Sequence, residues 1–289
     1  MAGDLFQFLF DALPSVRAHH RRESGLYALL NAIARAEVER CFSAPNARPV
    51  SFGPFGELVF PFHNMGAVDS LNLFDLDELI LFSFYWINRG RYDRVADIGA
   101  NLGLHSILLR RCGYKVRAYE PDPNLFARLR ENLRLNGCED VEAVNAAVSS
   151  KDGRLEFTRV LGNMTASHLT GSKPAPSGKL ERFDVDVRSI KPVIDWADLL
   201  KIDVEGHEAE ILVSTNRADW SGTDALIEIG DADNAEIIFD HFSNIGVGLF
   251  AQRRNWQQAR TLQDVPTSYR EGMLFVSCRP SMPWDPAPE

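Results

Sequence analysis

From residue 91 onward, short apolar runs alternate with amphipathic segments of helical length, and this alternation limits the fold more than any other feature of the chain. Strands that are separated by helices of this length pair in parallel through right-handed crossovers. We therefore expect an α/β protein with a doubly wound, mostly parallel sheet, interrupted by an antiparallel excursion over 155–160 and 183–187. The strands predicted for the sheet are 94–98, 115–119, 141–148, 199–204, 225–229, 247–251 and 273–277.

The N-terminal part of the chain differs in composition from the rest. Eleven of the eighteen phenylalanines lie within the first 90 residues, which contain no lysine. Apolar residues at helical spacing predict a helix over 24–42, and two short apolar runs around 53–56 predict a hairpin. We expect an N-terminal cap over 1–74 that packs against the main domain, 75–280, and a flexible Pro-rich tail over 281–289. A lid over a substrate and a homodimer surface are alternative functions of the cap.

Composition excludes several classes of protein. The net charge of −9 argues against a nucleic-acid surface, which needs a concentrated basic face. The four cysteines include no C-x-x-C pair, so we expect neither a zinc site nor a disulfide framework, and a reducing compartment fits. No apolar run reaches the roughly 18–20 residues that span a bilayer, and the first residues lack the basic start of a signal peptide. These observations predict a soluble, cytoplasmic protein that binds neither nucleic acid nor membrane.

The first predicted strand ends in the sequence D-I-G-A-N-L-G, residues 97–103, directly before a predicted helix. Glycine at such a junction lets the backbone approach a ligand, and the following helix presents its N–H groups. Asp97 precedes the first glycine, where a carboxylate orients a cationic ligand but repels a pyrophosphate. Gly99 and Gly103 also have a purely structural interpretation, because many α/β turns need glycine for packing.

An acidic residue, Glu120, ends the second predicted strand about twenty residues after the loop, the position from which a carboxylate binds ribose hydroxyls. Asn145, at the exit of the third predicted strand, is a candidate for a bond to an adenine edge, and a plain turn residue is the alternative. An adenosine cofactor with a cationic centre is S-adenosylmethionine. NAD needs a glycine where this chain has Asn101, so an NAD-dependent oxidoreductase is the alternative interpretation.

Three segments resemble the FkbM-type family of S-adenosylmethionine-dependent methyltransferases: VADIGANLGLHSILL, AYEPDPNLFARLRENLRLNG and LLKIDVEGHEAEIL. The resemblance covers roughly residues 75–280. It implies a Rossmann-like class I methyltransferase fold with a seven-stranded sheet and one antiparallel strand near its edge. It also implies that 99–103 holds the methionine part of the cofactor, Glu120 the ribose, and Asn145 with Ala146 the adenine side. The complete set of predicted cofactor-binding residues is Asp97, Gly99, Ala100, Asn101, Gly103, Glu120, Pro121, Asn145, Ala146 and Asp203.

The reacting groups are expected where the fourth predicted strand runs into the sequence K-I-D-V-E-G-H-E. This strand brings Asp203 to the carboxyl edge of the sheet, where open α/β folds bind ligands. Methyl transfer to an alcohol needs a base near the acceptor oxygen. We expect Asp203, Glu205 and His207 as the catalytic residues, with His207 suited to act as the base because it titrates near neutrality. The structural alternatives are that Asp203 only shapes the pocket, that Glu205 stabilises the next helix, and that His207 is a surface residue near a helix end.

The family mostly methylates hydroxyl groups of sugars, polyketides and similar natural products, so the resemblance implies an O-methyltransferase with a small hydroxylated acceptor. Methyl transfer to nitrogen or carbon is an alternative, although the chain has D-V-E-G where nitrogen methyltransferases often have Asn-Pro-Pro-Tyr. A non-catalytic binding protein of the same fold is a further alternative. Asp203 and Glu228 can together offer oxygen ligands to Mg²⁺, but no second Asp or Asn directly follows Glu228, and we assign no metal ligand.

Overall fold

The computed structural model describes residues 4–44, 47–66, 68–161, 167–172 and 179–285. The helices of these residues are α1 (Leu5–Ala12), α2 (Gly25–Phe42), α3 (Leu76–Ile87), α4 (Leu104–Arg111), α5 (Pro123–Leu135), α6 (Ile190–Trp196), α7 (Glu208–Leu212) and α8 (Ala232–Ile245). The strands are β1 (Val50–Ser51), β2 (Glu57–Leu58), β3 (Arg94–Ile98), β4 (Lys115–Tyr119), β5 (Glu142–Val144), β6 (Ala147–Ser149), β7 (Gly153–Leu161), β8 (His168–Leu169), β9 (Lys179–Ser189), β10 (Leu199–Ile202), β11 (Asp224–Ile227), β12 (Gly248–Ala251), β13 (Gln257–Gln258) and β14 (Leu274–Ser277).

Among the described residues, the central sheet has eight strands in the order β13-β12-β14-β11-β10-β3-β4-β5. The strands from β11 to β5 pair in parallel, whereas β14 runs antiparallel to both of its neighbours. The predicted doubly wound, mostly parallel sheet is therefore confirmed. The sheet has one strand more than the seven predicted, because the two-residue strand β13 is too short to show a pattern in the sequence. The strand order reverses between β3 and β10, and open α/β sheets bind ligands at such a point.

Helices cover both faces of the sheet, because alternate residues of a strand point to opposite faces. In β3, Val95 packs with residues of α3, α4 and α5 in one hydrophobic cluster. The next residue, Ala96, packs with residues of α6, α7 and α8 in a second cluster. Strands that are buried on both faces are apolar nearly throughout, and all four residues of β10 and of β11 are indeed buried.

The N-terminal segment packs on the first of these two faces, in the same hydrophobic cluster as Val95. The predicted hairpin is confirmed, since β1 and β2 pair in antiparallel register. Phe52 lies next to the hairpin turn, with its ring centroid 4.6 Å from that of Phe6 and 5.7 Å from that of Phe74. The cap and the main domain thus share one core, while a domain boundary at residue 74 stays a prediction.

The third predicted strand, 141–148, is two strands in the structure. β5 belongs to the central sheet, whereas β6 pairs with β9 in a second sheet of order β6-β9-β7-β8. The chain turns at Asn145, where the N–H of Ala146 donates to the carbonyl oxygen of Val144 at 3.0 Å. The predicted antiparallel excursion is confirmed as the pair β7 and β9.

The C-terminal segment differs from the flexible tail that was predicted over 281–289. Met282 and Trp284 are buried, and the ring centroid of Trp284 lies 5.0 Å from that of His20. The Asn88 side chain also donates to the carbonyl oxygen of Pro283 at 3.0 Å. Proline content favours disorder, but two large side chains among the prolines bury enough apolar surface to hold this segment. Residues 286–289 lie outside the described residues.

Candidate functional site

The loop after β3 has a conformation that requires glycine. Gly99 has a φ of +81°, and a Cβ built on it would lie 1.7 Å from the backbone oxygen of Asp203. Gly103, with a φ of +83°, is the residue directly before α4. The N–H groups of Gly99 and Ala100 donate to the carbonyl oxygen of Tyr119, at 3.0 and 2.9 Å. The glycines therefore let the loop lie directly against both neighbouring strands, whichever ligand it binds.

Asp97 lies beneath this loop. It is fully buried, and its Oδ2 accepts a hydrogen bond from the Ser106 hydroxyl at 2.6 Å. Its Oδ1 has no hydrogen-bond partner within the described part of the chain. Because buried polar atoms are nearly always hydrogen-bonded, a further donor is expected here, from a ligand or from a bound water. This geometry is compatible with the predicted function of Asp97 in orienting a cationic ligand, although Asp97 lines neither of the cavities described next.

A cavity lies at the carboxyl ends of β3, β4 and β5, between the central sheet and the second sheet. Its wall is mainly apolar and includes a few polar side chains, which is the usual composition of a site for a small ligand. We call it the apolar cavity; its apolar wall includes Tyr119, Pro121, Leu125, Ala146, Phe157 and Leu169.

Glu120 lines the apolar cavity from the end of β4. Its Oε1 accepts a hydrogen bond from the N–H of Asp122 and its Oε2 from the N–H of Asn101, both at 2.8 Å. Burial raises the pKa of Glu120 to about 8, against the lowering effect of these two donors. Each carboxylate oxygen has a second lone pair for a ligand. Two neighbouring hydroxyl groups, as in a ribose, are suitable donors and would favour the ionised carboxylate.

Among the residues predicted to lie near the adenine, Pro121 and Ala146 line the apolar cavity but Asn145 does not. The Asn145 amide nitrogen donates instead to the carbonyl oxygens of Glu120 and Pro121, at 2.8 and 3.1 Å. The protein backbone thus uses the amide donors of Asn145, and its bond to an adenine edge, for which Oδ1 remains, stays a prediction. Asn145 positions the two loops that carry Glu120 and Ala146.

A second cavity lies between the N-terminal segment, α3 and the turn after β10. It meets the apolar cavity at Asn101, Asp203 and Glu205, which line both. Arg22 is the one cationic residue on the wall that the structure describes. We call it the acidic cavity; the carboxylates that line it are Asp75, Asp77, Glu78, Asp203, Glu205, Glu208 and Glu228.

Asp203 is paired with a buried lysine that our sequence interpretation missed. Lys201 is 4% exposed, and its Nζ lies 3.1 Å from Asp203 Oδ2. Burial opposes the charge of Lys201, but the surrounding carboxylates, Asp203 first among them, raise its pKa above the ordinary value. A fixed positive charge therefore lies beneath the junction of the two cavities. The signal in the sequence is one lysine within the otherwise apolar strand L-L-K-I.

The turn after β10 is held by Glu208, which was also missed. Its Oε1 accepts hydrogen bonds from the N–H groups of Val204 and Gly206, at 3.2 and 3.0 Å. Its Oε2 has no hydrogen-bond partner among the described residues, although the residue is only 1% exposed. Burial raises the pKa of Glu208 to about 7. Within the same turn, Glu205 adopts a φ of +57° and reaches both cavities, as its predicted function near the reacting groups requires.

Glu78 connects the acidic cavity to two buried side chains. Its Oε2 lies 3.0 Å from Nε2 of His105 but accepts no hydrogen bond from the described residues, and Nδ1 of His105 lies 3.0 Å from the hydroxyl of Tyr85. When the Tyr85 hydroxyl donates to Nδ1, the proton of a neutral imidazole is on Nε2, which faces Glu78. The contact between His105 and the Glu78 carboxylate is therefore electrostatic and is not an aligned hydrogen bond. Glu78 was not among the residues predicted from the sequence.

His207 reaches neither cavity, so its predicted function as the base is corrected. Its Nε2 lies 2.8 Å from the Ser149 hydroxyl and its Nδ1 lies 3.0 Å from the Ser172 hydroxyl. It lines a separate depression beside β6 and α7. Positive φ angles at Glu205 and Gly206 reverse the chain after β10, and alternate positions in the sequence therefore do not face the same side.

The buried imidazole of His207 predicts a change in acid stability. Burial lowers its pKa below the ordinary value, so its protonation, when the pH falls below about 6.5, favours the unfolded chain. The stabilising contribution is present above that pH and is lost below it. His207→Gln cannot titrate and should lose less free energy of unfolding between pH 7 and pH 5, by about 1 kcal/mol per unit of pKa lowering. Urea denaturation at both pH values measures this; an equal loss in both proteins would contradict it.

The described residues contain neither a grouped set of metal ligands nor a helix that could cross a membrane. Asp203 and Glu228, which we considered as magnesium ligands, both line the acidic cavity. No three His, Cys, Asp or Glu side chains of the described ranges are grouped as a metal ion requires. No described helix combines the length and the apolar character of a membrane span.

Known proteins share the segment that builds this site. The family profile described as "Methyltransferase FkbM domain" matches residues 97–259. The matched range begins at Asp97 and includes Glu120, Lys201 and Asp203. Most of the N-terminal wall of the acidic cavity, including Glu78, lies outside it.

Three relatives illustrate the similarity. Methyltransferase sdnD of Sordaria araneosa is 30% identical over 159 residues, which cover 44% of this chain and 61% of that protein. Hexuronic acid methyltransferase AglP of Haloferax volcanii is 30% identical over 152 residues, with coverages of 47% and 56%. The 2-O-methyltransferase NoeI of Sinorhizobium fredii is 29% identical over 136 residues, with coverages of 41% and 55%. The chain thus spans little more than half the length of these relatives.

Proposed function

This chain belongs to the methyltransferase FkbM domain family, and we propose that it transfers a methyl group from S-adenosylmethionine to a hydroxyl group of a small molecule. The observation that carries the proposal is the junction of two cavities at Asn101, Asp203 and Glu205. One cavity is apolar and has a carboxylate at the ribose position. The other is polar and leads away from the junction, as an acceptor site must.

The residues of the apolar cavity fit the cofactor. Tyr119 and Ala146 offer an apolar wall to an adenine, and Glu120 offers carboxylate oxygens to the ribose. Asn101 has a buried Oδ1 without a hydrogen-bond partner among the described residues, and it lies at the junction with Asp203, where the methionine part would be held. S-adenosylmethionine would supply the methyl group: as an acceptor oxygen bonds to the methyl carbon, the carbon–sulfur bond would break in line and leave S-adenosylhomocysteine. The surrounding carboxylates favour a ligand with that positive charge.

We assign the removal of the acceptor proton to Glu78. Its carboxylate lines the acidic cavity, and its Oε2 lies 3.0 Å from Nε2 of His105 without a hydrogen bond from the described residues, so this oxygen is open to the acceptor proton. As the new carbon–oxygen bond forms, the proton of the acceptor hydroxyl passes to this carboxylate. Asp203 is less suitable, because it already shares its charge with the buried Lys201. Glu205 reaches both cavities and is the second candidate from the predicted catalytic set.

The names of two relatives support a hydroxyl group as the acceptor. NoeI is a 2-O-methyltransferase, and AglP is a methyltransferase of hexuronic acid. A sugar or a similar hydroxylated molecule is therefore the acceptor class that we propose for this chain. Transfer to nitrogen or carbon is the alternative, and product analysis by mass spectrometry and NMR distinguishes it.

The location and assembly of the protein are further proposals. The four cysteines are free, which supports a reducing, cytoplasmic location. The net charge of −9 supports the absence of a nucleic-acid partner.

Phe8 of α1 and Leu29 of α2 are 60% and 57% exposed, which supports a homodimer through the N-terminal cap. Sedimentation velocity tests the dimer, and a monomer at every concentration would contradict it.

Glu120→Ala tests the proposed cofactor site. Loss of a carboxylate that accepts two ribose hydroxyls should weaken binding of S-adenosylhomocysteine by about 10- to 100-fold, because a hydrogen bond to a charged group contributes roughly 1.5–3 kcal/mol. Isothermal titration calorimetry measures the change.

The matched control is Glu236→Ala, which removes an exposed carboxylate from α8 and should leave the affinity unchanged. Urea unfolding of both variants shows whether the fold is intact. Equal affinity of folded Glu120→Ala and the wild-type protein would remove Glu120 from the cofactor site.

A further inference from the structure

The acidic cavity has a charge that methyl transfer to a neutral alcohol does not require. Seven carboxylates line it, against the cation Arg22 on the described wall and the buried Lys201 that is paired with Asp203. Arg22 is already neutralised, because its Nε donates to Asp77 Oδ2 at 2.6 Å. Glu228 interacts electrostatically with Lys201, whereas no cation among the described residues pairs with Glu208.

Glu208 offers an oxygen that the protein does not use. Its Oε1 holds the backbone of the turn, through the N–H groups of Val204 and Gly206. Its Oε2 is buried on the cavity wall and has no hydrogen-bond partner among the residues described. Since buried polar atoms are nearly always satisfied, this oxygen can accept a further hydrogen bond, from a ligand or from a bound water.

Glu228 lines the same cavity from the residue directly after β11, the strand next to β10. Burial and the like charges of Asp203 and Glu205 raise its pKa well above the ordinary value. A cation that binds here would relieve this repulsion and favour the ionised carboxylate. A neutral molecule would not relieve the repulsion between these carboxylates.

We propose that the acidic cavity binds an acceptor that carries a protonated amino group beside the hydroxyl group that is methylated. Glu208 and Glu228 hold the ammonium group, which donates to Oε2 of Glu208 and to the carboxylate of Glu228. The acceptor class is that of amino sugars and amino alcohols. This inference rests on the proposed function and specifies the substrate of the same site.

The same charges disfavour an anionic acceptor, because a carboxylate in this cavity would face like charges on most of its described wall. The acceptor of this chain therefore differs in charge from the hexuronic acid in the name of AglP. This difference in charge arises from residues of the cavity wall that the family match does not include. Glu78, Asp77 and Asp75 of the cavity wall lie outside the range 97–259 that matches the family.

The test compares acceptors that differ only in charge. One series is the methyl glycosides of glucosamine, glucose and glucuronic acid, and a second is 2-aminocyclohexanol, cyclohexane-1,2-diol and 2-hydroxycyclohexanecarboxylate. Binding to the protein loaded with S-adenosylhomocysteine is measured by NMR titration. We expect at least one amino compound to bind ten-fold more tightly than its neutral counterpart, with no detectable binding of the carboxylates.

Two variants assign the effect to the named residues. Glu208→Gln and Glu228→Gln should each weaken binding of the amino compound about ten-fold and leave the neutral compound unchanged. Glu236→Gln removes one charge from the exposed side of α8 and should change neither. Unfolding curves identify a variant that fails to fold, and the other variant then carries the test.

The outcomes separate this inference from the proposed function. Failure of S-adenosylhomocysteine to bind at all would contradict the proposed function. Cofactor binding together with equal or tighter binding of the neutral or anionic compounds would overturn the inference alone, as would the absence of binding by either amino compound. Displacement of the amino compound by millimolar Mg²⁺, with methyl transfer abolished by EDTA, would also overturn it and indicate a cation site.

Discussion

Gly99→Ala is expected to destabilise the protein by about 3 kcal/mol or more and to abolish cofactor binding. Two effects combine, since a left-handed conformation disfavours a non-glycine residue by about 1–2 kcal/mol and overpacking adds about 1–3 kcal/mol. The built Cβ lies 1.7 Å from the backbone oxygen of Asp203 and 2.8 Å from its carbonyl carbon. These are backbone atoms, so relief of the clash moves the strand end that carries Asp203. Urea unfolding and calorimetric titration with S-adenosylhomocysteine measure the two effects.

Gly113→Ala is the matched control for this substitution. Gly113 has a φ of +93°, but a Cβ built on it meets no atom within 4 Å. It therefore shows the effect of left-handed backbone alone, about 1–2 kcal/mol, and cofactor affinity should be unchanged. Equal destabilisation by the two variants would mean that contact with Asp203 does not determine the need for glycine at residue 99.

Glu78→Gln should lower kcat by about 10²- to 10⁴-fold, which is the usual contribution of a positioned base. Glutamine keeps the length of the side chain and one oxygen, but it cannot take up the acceptor proton at neutral pH. Affinity for S-adenosylhomocysteine should stay within about two-fold of the wild-type value, because Glu78 lines only the acidic cavity. Single-turnover kinetics and calorimetric titration provide the two measurements.

Asp203→Asn distinguishes the alternative base. Asparagine leaves the buried Lys201 without its carboxylate at 3.1 Å, so a lower free energy of unfolding should accompany any loss of turnover. Tyr85→Phe removes the hydroxyl at 3.0 Å from His105 and should have a smaller effect on kcat than Glu78→Gln. A kcat of Glu78→Gln close to that of the wild-type protein would exclude Glu78 and favour Glu205.

The parts of the site that the sequence predicted are those set by local structure. The glycine loop and Glu120 each follow a strand whose apolar residues are visible in the sequence, and both lie at the carboxyl edge of the sheet as expected. The positive φ angles at Gly99 and Gly103 belong to glycines, which the sequence shows directly. The positions of these glycines can therefore be predicted from the sequence alone.

The errors arise where the conformation of a turn or a distant contact decides the position of a side chain. Glu205 has a positive φ although it is not a glycine, and this reversal separates it from His207 in a way that spacing does not reveal. Asn145 was placed in a continuous strand, whereas the chain turns there and its amide serves the backbone. Side-chain hydrogen bonds of this kind leave no periodic pattern.

Glu78 shows that a contact between distant parts of the chain is not visible in the sequence. It precedes His105 by 27 residues in the chain, and only the packing of α3 against α4 brings the two side chains to 3.0 Å. In the sequence it is one acid of a helix start, where the helix dipole alone explains a carboxylate. Lys201 did have a signal, a charge within an apolar strand, and such a residue requires a buried partner.

The central claim is that the apolar cavity binds S-adenosylmethionine. Calorimetric titration of the wild-type protein with S-adenosylhomocysteine and, in parallel, with NAD tests it most directly. We expect one binding site per chain for S-adenosylhomocysteine and no heat of binding for NAD. Binding of NAD alone would contradict the claim and make the chain a nicotinamide-binding protein despite its family.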